Sequence, residues 1–209
     1  MSKIEDVKVL VETGKSKKVA AAVQEALDAG DKAQDILDAM IASMGVVGDK
    51  FSAGEIFVPE MLIAAKAMSK GVEVLKPVMA GDGSSSLGTC IMGTVAGDLH
   101  DIGKNLVVMM LESAGFDMVD LGVDVSADKF VDAVKENNNV VLVACSGLLT
   151  TTMPALKEAV QTIKAAYPGM KVIVGGAPVT QEYANEIGAD GYAPDAGSSA
   201  SKAKEIICA

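Results

Sequence analysis

Apolar residues recur at helical spacing through the first part of the chain. Ile36, Met40 and Met44 lie four residues apart, which places them on one face of a helix. Residues 1–80 repeat this spacing in several segments, and short connections that contain glycine separate them. The pattern predicts about four helices that pack as a small bundle.

Glycine and proline mark the predicted ends of these helices. Residues 46–54 contain two glycines and predict a turn before the last helix. Pro59 fits the first position of that helix, because the N–H that it lacks would have no partner there. Pro77 predicts the end of the same helix, since a helix interior needs that N–H.

The pattern changes after a short segment of small residues. Residues 81–87 are mostly glycine and serine, which is the composition of a linker. The continuous apolar runs at 140–146 and 171–176 are typical of strands that are covered on both faces. We therefore predict a helical-bundle domain at 1–80, a linker at 81–87 and a Rossmann-like domain at 88–209.

The second domain is predicted to be an α/β fold. Strands and helices alternate, which implies a doubly wound, five-stranded parallel sheet of the Rossmann-like or flavodoxin-like kind. Ligands of such sheets bind at the carboxyl ends of the strands. The predicted strands occupy residues 88–95, 118–121, 140–145, 171–174 and 190–193. The predicted helices occupy residues 102–114, 127–136, 152–166, 180–187 and 198–207.

Charge and composition exclude several classes of partner. The 28 acidic residues outnumber the 18 basic ones, and the net charge of −10 repels nucleic-acid phosphates and anionic lipids. No apolar run approaches the ~20 residues that span a bilayer. Residues 1–11 lack the apolar core of a signal peptide, so we expect a cytoplasmic protein that binds neither nucleic acid nor membrane.

Small, polar and glycine-rich segments follow four of the predicted strands. They occupy residues 93–105, 146–154, 175–178 and 192–196. Because the carboxyl ends of parallel strands meet at one edge of a sheet, we expect these segments to converge there. The first contains neither GxGxxG nor the P-loop pattern, which argues against a dinucleotide or a nucleoside triphosphate.

His100 is the only histidine, and it stands two residues after Asp98 in the first of these segments. In an extended loop both side chains point the same way, so that Asp98 can bind one ring nitrogen and leave the other outward. Metal-bound histidines have this arrangement. One imidazole cannot hold a bare metal ion, but it suffices where a macrocycle supplies the other ligands. A proton-transfer pair and an ordinary surface histidine are the alternatives.

Three motifs give the chain a resemblance to a known family. Together they resemble the DxHxxG, SxL and GG signature of cobalamin-binding domains. Residues 21–77 resemble the helical cap that precedes this domain in methionine synthase and in the corrinoid proteins of methanogen and acetogen methyltransferase systems. The motifs stand in order at three strand ends: Asp98-x-His100-x-x-Gly103, Ser146-x-Leu148 and Gly175-Gly176.

The resemblance implies how cobalamin would bind. The benzimidazole tail leaves the cobalt and lies in a slot between strands, and His100 takes its place as the lower axial ligand of the metal. Ser146 is implied to contact the benzimidazole, Thr152 to bind Asp98, and Phe57 to cover the upper face of the corrin. The implied cofactor contacts are Gly97, Asp98, Leu99, Asp101, Ile102, Gly103, Ser146, Leu148, Thr150, Thr152, Gly175, Gly176, Tyr192, Ala196 and Phe57.

Simpler structural roles remain open for several of these residues. Gly175 and Gly176 are also typical of an ordinary turn between a strand and a helix. The hydroxyls of residues 150–152 are also typical of a helix cap. Phe57 lies four residues before Met61, so it also fits the buried stripe of a helix in the bundle.

The same resemblance implies a methyl carrier that is not an enzyme on its own. The cobalt is implied to accept a methyl group from a substrate-specific methyltransferase and to deliver it to a second methyltransferase, with coenzyme M or tetrahydrofolate as the final acceptor. A reductive activase is the third implied partner. Three alternatives remain open: a cobalamin-binding subunit of a mutase, a cobalamin-based sensor, and a flavodoxin-like domain without cofactor.

Overall fold

The structure is a computed structural model that describes residues 3–79 and 86–208. The chain divides into two compact units, Met1–Ser85 and Ser86–Ala209. The predicted linker at 81–87 lies outside the described residues, except for its last two positions. The predicted linker and domain limits therefore stay predictions.

The described part of the first unit is built from four helices. They are α1 (Lys3–Glu12), α2 (Ser16–Asp28), α3 (Ala33–Ser52) and α4 (Val58–Met79). α1 packs against α2 and α3, and α4 packs against the same two helices. Ile36, Met40 and Met44 are all buried, as their spacing predicts. Apolar burial between neighbouring helices therefore holds the bundle together.

The predicted turn at 46–54 is wrong, because α3 continues to Ser52. Val47 and Gly48 lie within this helix, and both are buried. Burial along the same helix face outweighs the helix-breaking tendency of a glycine, which costs about 1 kcal/mol relative to alanine.

The predicted helix end at Pro77 is also wrong, because α4 extends to Met79. Leu75 and Met79 are both buried and lie one turn apart, so packing keeps the chain helical across the proline. In the described ranges, no helix is both long and apolar enough to cross a membrane. The cytoplasmic location stays a prediction.

The second unit is an α/β fold with a five-stranded, all-parallel sheet, as predicted. The strand order β2-β1-β3-β4-β5 is that of flavodoxin-like folds. The strands are β1 (Thr89–Thr94), β2 (Asp117–Asp120), β3 (Val140–Ser146), β4 (Lys171–Gly175) and β5 (Gly191–Ala193). The helices are α5 (Ile102–Ser113), α6 (Ala127–Glu136), α7 (Met153–Ala166), α8 (Gln181–Ile187) and α9 (Ala196–Cys208).

The central strands β1, β3 and β4 are buried at consecutive positions. Because neighbouring residues of a strand face opposite sides, this burial means that both faces of the sheet are covered. α5 packs against α9, and α6 packs against α7. Phe130 of α6 and Leu156 and Ile163 of α7 belong to one core cluster with residues of the central strands. The loops that follow β1, β3, β4 and β5 therefore lie side by side at one edge of the sheet.

Candidate functional site

The loop after β1 is organised around the side chain of Asp98, which is completely buried. Its Oδ1 accepts the backbone N–H of His100 at 3.1 Å and lies 2.7 Å from Nδ1 of the same residue. Its Oδ2 accepts the backbone N–H of Leu148 at 2.6 Å and is 3.1 Å from the hydroxyl of Thr152. Asp98 therefore joins the loop after β1 to the loop after β3.

These hydrogen bonds keep Asp98 ionised despite its burial. Burial is the largest single influence and raises the pKa of Asp98, but the bonds from Leu148, His100 and Thr152 together outweigh it and lower the pKa from 3.8 to about 2. An ionised carboxylate has no proton to donate, so the hydrogen between the two side chains belongs to Nδ1. In the neutral ring, Nε2 of His100 then carries the lone pair.

His100 presents this lone pair at the surface. Its side chain is 50% exposed, although its partner Asp98 is fully buried. Leu99 and Ile102, within two residues of His100 in the sequence, are 72% and 75% exposed. Leu148, whose N–H binds Asp98 from the loop after β3, is 39% exposed. Exposed apolar groups next to a fixed imidazole are typical of a surface that a large ligand covers.

Two residues that the motifs did not include hold the main chain of this loop. The buried Thr94 donates its hydroxyl to the carbonyl of His100 at 2.9 Å. Asp124, in the loop after β2, accepts the N–H of Gly97 at 2.7 Å and donates its own N–H to the carbonyl of Asp98 at 3.0 Å. No local signal in the sequence marks these contacts, because each joins segments that only the sheet brings together.

The hydroxyl residues after β3 differ in their surroundings. Ser146 is half-buried and pairs in register with Thr94 of the neighbouring strand. Thr150 is exposed, whereas Thr152 is buried. The hydroxyl of Thr152 is also 2.9 Å from the carbonyl of Leu149, so its single proton serves one acceptor at a time. No side chain caps α7, so the cap alternative is wrong for Thr152. Cofactor contacts of Ser146 and Thr150 stay predictions.

Gly175 and Gly176 bring the loops after β3 and β4 together. The N–H of Gly147 donates to the carbonyl of Gly175 at 3.1 Å. Gly176 has a φ of +132°, and a Cβ at this position would lie 1.9 Å from the carbonyl oxygen of Gly147. Only glycine fits there, so the turn by itself accounts for this residue. A side chain at Gly103, by contrast, would meet open space.

The remaining predicted contacts of the second unit lie on three elements. Asp101 is exposed before α5, and its carbonyl accepts the N–H of Asn105 at 2.7 Å. Tyr192 of β5 is half-buried and packs against the core cluster. Ala196 begins α9 and is only 7% exposed. Contacts of these residues with a cofactor stay predictions.

Phe57 does not belong to the core of the helical unit. It is 68% exposed and precedes α4, whereas Met61 is buried one turn later. The side chain of Glu60 accepts the N–H of Phe57 at 3.1 Å, which caps the helix start. The bundle-core alternative is therefore wrong for Phe57, and its contact with a corrin stays a prediction.

The donor set fits a metal held by a macrocycle and not a bare ion. Among residues 3–79 and 86–208, no three side chains of the metal-binding types lie together. One imidazole with a fixed tautomer is exposed, and a carboxylate supports it. This arrangement suits a cofactor such as cobalamin, whose ring supplies the other ligands.

Comparisons with known proteins point in one direction. Two family models described as B12 binding domain match the chain, one over residues 88–200 and the other over residues 3–76. The chain is 42% identical over 198 residues to dimethylamine corrinoid protein 1 of Methanosarcina acetivorans, which covers 93% of this chain and 92% of that protein. It is 46% identical over 188 residues to the trimethylamine corrinoid protein of Methanosarcina barkeri, which covers 88% and 86%.

Solved structures agree with these sequence matches. A cobalamin-binding protein from Desulfitobacterium hafniense DCB-2 superimposes with a TM-score of 0.83 at 30% identity, over 97% of this chain and 98% of that one. A chain of the methanol:cobalamin methyltransferase complex from Methanosarcina barkeri also has a TM-score of 0.83, at 31% identity over 99% of this chain and 80% of that one.

Proposed function

Because this chain belongs to the B12 binding domain family of corrinoid proteins, we propose that it carries a methyl group on cobalamin between two methyltransferases. The family and the cobalamin cofactor that the three motifs predicted are confirmed. The single observation that supports the role of the site is the pair of Asp98 and His100, in which a buried carboxylate fixes the tautomer of an exposed ring.

His100 would bind the cobalt through Nε2. When bound, the cofactor supplies a cobalt that can accept a methyl group and release it. Asp98 holds the proton on Nδ1 and strengthens the ring as a donor, since its negative charge lies 2.7 Å away. Leu148 and Thr152 keep that charge in place from the opposite side.

The exposed apolar side chains would lie against the corrin ring. Leu99 and Ile102 lie within two residues of His100 in the sequence, and the N–H of Leu148 binds Asp98, so their burial under a flat ligand would exclude water from the bond that His100 makes to the metal. The open space at Gly103 would let such a ligand approach the start of α5.

We assign substrate activation to partner proteins. The proposed partners are a substrate-specific methyltransferase, a second methyltransferase that uses coenzyme M or tetrahydrofolate, and a reductive activase. Relatives are named for dimethylamine and trimethylamine, so methylamines are the first methyl donors to test.

The proposal is tested by reconstitution with cobalamin and electron paramagnetic resonance of the one-electron-reduced cofactor. His100 is the only histidine, so incorporation of ¹⁵N-histidine must change the nitrogen coupling if the ring binds cobalt. The loaded protein is then incubated with a methylamine methyltransferase and its substrate. Binding of the cofactor's own benzimidazole in place of His100, or failure to accept methyl groups from methylamine and methanol methyltransferases alike, would overturn the proposal.

A further inference from the structure

We propose that Thr94 and Asp124 are positioning residues that hold the main chain around His100, so that Nε2 meets the cobalt from one direction. The inference rests on the proposed role of His100 as the axial ligand. Asp98 sets the tautomer and the direction of the ring and accepts the N–H of His100, but these bonds hold neither the carbonyl of His100 nor the main chain of Asp98 itself. Contacts from Thr94 and Asp124 hold those groups.

Thr94 is the link between the sheet and the histidine. It is the last residue of β1 and is completely buried. Its N–H donates to the carbonyl of Gly122 at 3.0 Å, and its carbonyl accepts the N–H of Val125 at 2.9 Å. Its hydroxyl then donates to the carbonyl of His100 at 2.9 Å. The carbonyl of His100 is thus hydrogen-bonded to Thr94, and the N–H and the carbonyl of Thr94 both bind the loop after β2.

Asp124 holds the loop on the other side of Asp98. Its carboxylate accepts the N–H of Gly97, and its N–H donates to the carbonyl of Asp98. The two bonds bracket the residue that supports the imidazole. Asp124 has a φ of +54°, a left-handed conformation that aspartate and asparagine tolerate better than other residues with side chains.

An ion pair between a buried lysine and an exposed aspartate supports the loop that carries Asp124. The side chain of Lys104 is 2% exposed, and its Nζ lies 2.5 Å from Oδ2 of Asp120. Oδ1 of Asp120 accepts the N–H of Gly122 at 2.9 Å. Lys104 stands four residues after His100, in α5. The ion pair therefore connects α5, which follows His100, to the loop after β2, which supports His100.

The two ends of β1 supply a matched pair of variants. Thr94→Val removes the hydroxyl that reaches His100 and keeps the branched shape. Thr89→Val makes the same change at the other end of the strand, where the hydroxyl of Thr89 donates to the carbonyl of Asn138, also at 2.9 Å. Both variants lose one hydroxyl-to-carbonyl bond, but only one of those bonds lies beside the histidine.

The first measurement uses the protein loaded with cobalamin, at one fixed pH. We expect Thr94→Val to lower the ratio of imidazole-bound to unbound cofactor, read from the visible spectrum, by about tenfold, the lower end of the usual loss for outer partners of a metal ligand. Thr89→Val should leave the ratio at the wild-type value, and Thr94→Ser should recover most of the loss. Equal ratios in Thr94→Val and Thr89→Val would overturn the inference.

The second measurement uses the protein without cofactor. All ring ¹⁵N signals belong to His100, so their shifts report its tautomer directly. We expect wild type and Thr89→Val to show the Nδ1–H form. Thr94→Val should move toward a mixture of tautomers, because a displaced backbone would weaken the bond from Nδ1 to Asp98 that holds this form. If the cobalt in the wild-type protein binds no imidazole, the proposed function fails. The ring ¹⁵N signals of the protein without cofactor would still decide whether Thr94 positions His100. If Thr94→Val does not fold, Asp124→Gly takes its place in both measurements, because it removes the acceptor of the Gly97 N–H and glycine tolerates the positive φ. The expected direction and the overturning result are the same.

Discussion

Two aspartates at opposite edges of the sheet receive similar hydrogen bonds but support different partners. Asp98, at the carboxyl edge, accepts backbone N–H groups and holds His100. Asp190, just before β5 at the amino edge, accepts the N–H of Val172 at 2.7 Å and lies 2.5 Å from Nζ of Lys164. Each carboxylate therefore joins two segments of the main chain to one basic side chain.

The difference between the two sites is where the basic side chain ends. Lys164 turns back to the protein and donates to the carbonyl of Met170 at 2.8 Å, with 25% of its side chain exposed. His100 is 50% exposed and keeps Nε2 outward. A hydrogen-bonded carboxylate therefore indicates a binding function here only at Asp98, where the carboxylate is buried and its partner ends at the surface with an atom that still accepts a ligand.

The largest expected effect comes from removal of the exposed partner. His100→Ala should abolish the nitrogen coupling at cobalt and slow methyl transfer with both partner enzymes by more than about 100-fold, because loss of an outer partner alone costs about 10- to 100-fold. Lys164→Ala, the matched change at the amino edge, should leave both quantities unchanged. Nitrogen coupling that persists in His100→Ala would exclude this residue as the ligand.

Replacement of Asp98 or Asp190 by asparagine removes the charge of one site at a time, so that the effects of the two aspartates can be compared. Asp98→Asn should lower the free energy of unfolding by about 1–3 kcal/mol, because the amide N–H₂ replaces a buried oxygen that accepts hydrogen bonds. Asp190→Asn should lower it by at most about 1 kcal/mol, because the Asp190 side chain is 24% exposed. Only Asp98→Asn should also weaken the bond between His100 and cobalt, by about 10- to 100-fold. Denaturant unfolding and the visible spectrum measure the two effects. Similar spectra in the two variants would show that Asp98 is only a structural residue.

Acid should remove the stabilisation that Asp98 provides. Its pKa is lowered in the folded protein from 3.8 to about 2, which corresponds to about 2 kcal/mol. A lowered pKa stabilises the fold above the unfolded value, so the advantage of wild type over Asp98→Asn should be complete above about pH 4 and should shrink as the pH falls toward 2. The measurement is the free energy of unfolding of wild type and of Asp98→Asn, both without cofactor, as the pH falls from about 4 toward 2. An advantage that does not change with pH would contradict the lowered pKa.

The sequence predicted those features that depend on local spacing. Continuous apolar runs located β3 and β4, and the separation of two residues between Asp98 and His100 predicted their hydrogen bond. The bond from Thr152 to Asp98 spans 54 positions, and only the resemblance to cobalamin-binding domains predicted it.

The sequence did not predict features that depend on packing between distant segments of the chain. Thr94 and Asp124 are ordinary residues in the sequence, and their contacts with the histidine loop exist only because β1 lies beside β2 in the sheet. The continuation of α3 past Gly48 escaped for the same reason, since burial against other helices overrides local propensity.

The smallest expected effect concerns the weakest donor to Asp98. The hydroxyl of Thr152 lies 3.1 Å from Oδ2 but only 2.9 Å from the carbonyl of Leu149, while the N–H of Leu148 reaches the same Oδ2 at 2.6 Å. Thr152→Val should therefore lower the free energy of unfolding by about 1 kcal/mol. It should weaken the axial bond less than Asp98→Asn does, because the carboxylate keeps its charge and its shortest bond.

The neighbouring residue supplies the control for this last change. Thr151 lies in the same turn and is exposed, so Thr151→Val should stay within about 0.5 kcal/mol of wild type and leave the spectrum unchanged. Thr152→Ser should restore both stability and spectrum, since it returns the hydroxyl. If Thr152→Val matched Thr151→Val in unfolding and in the spectrum, the hydroxyl would contribute neither to stability nor to the support of Asp98, and Leu148 and His100 would suffice to keep Asp98 ionised.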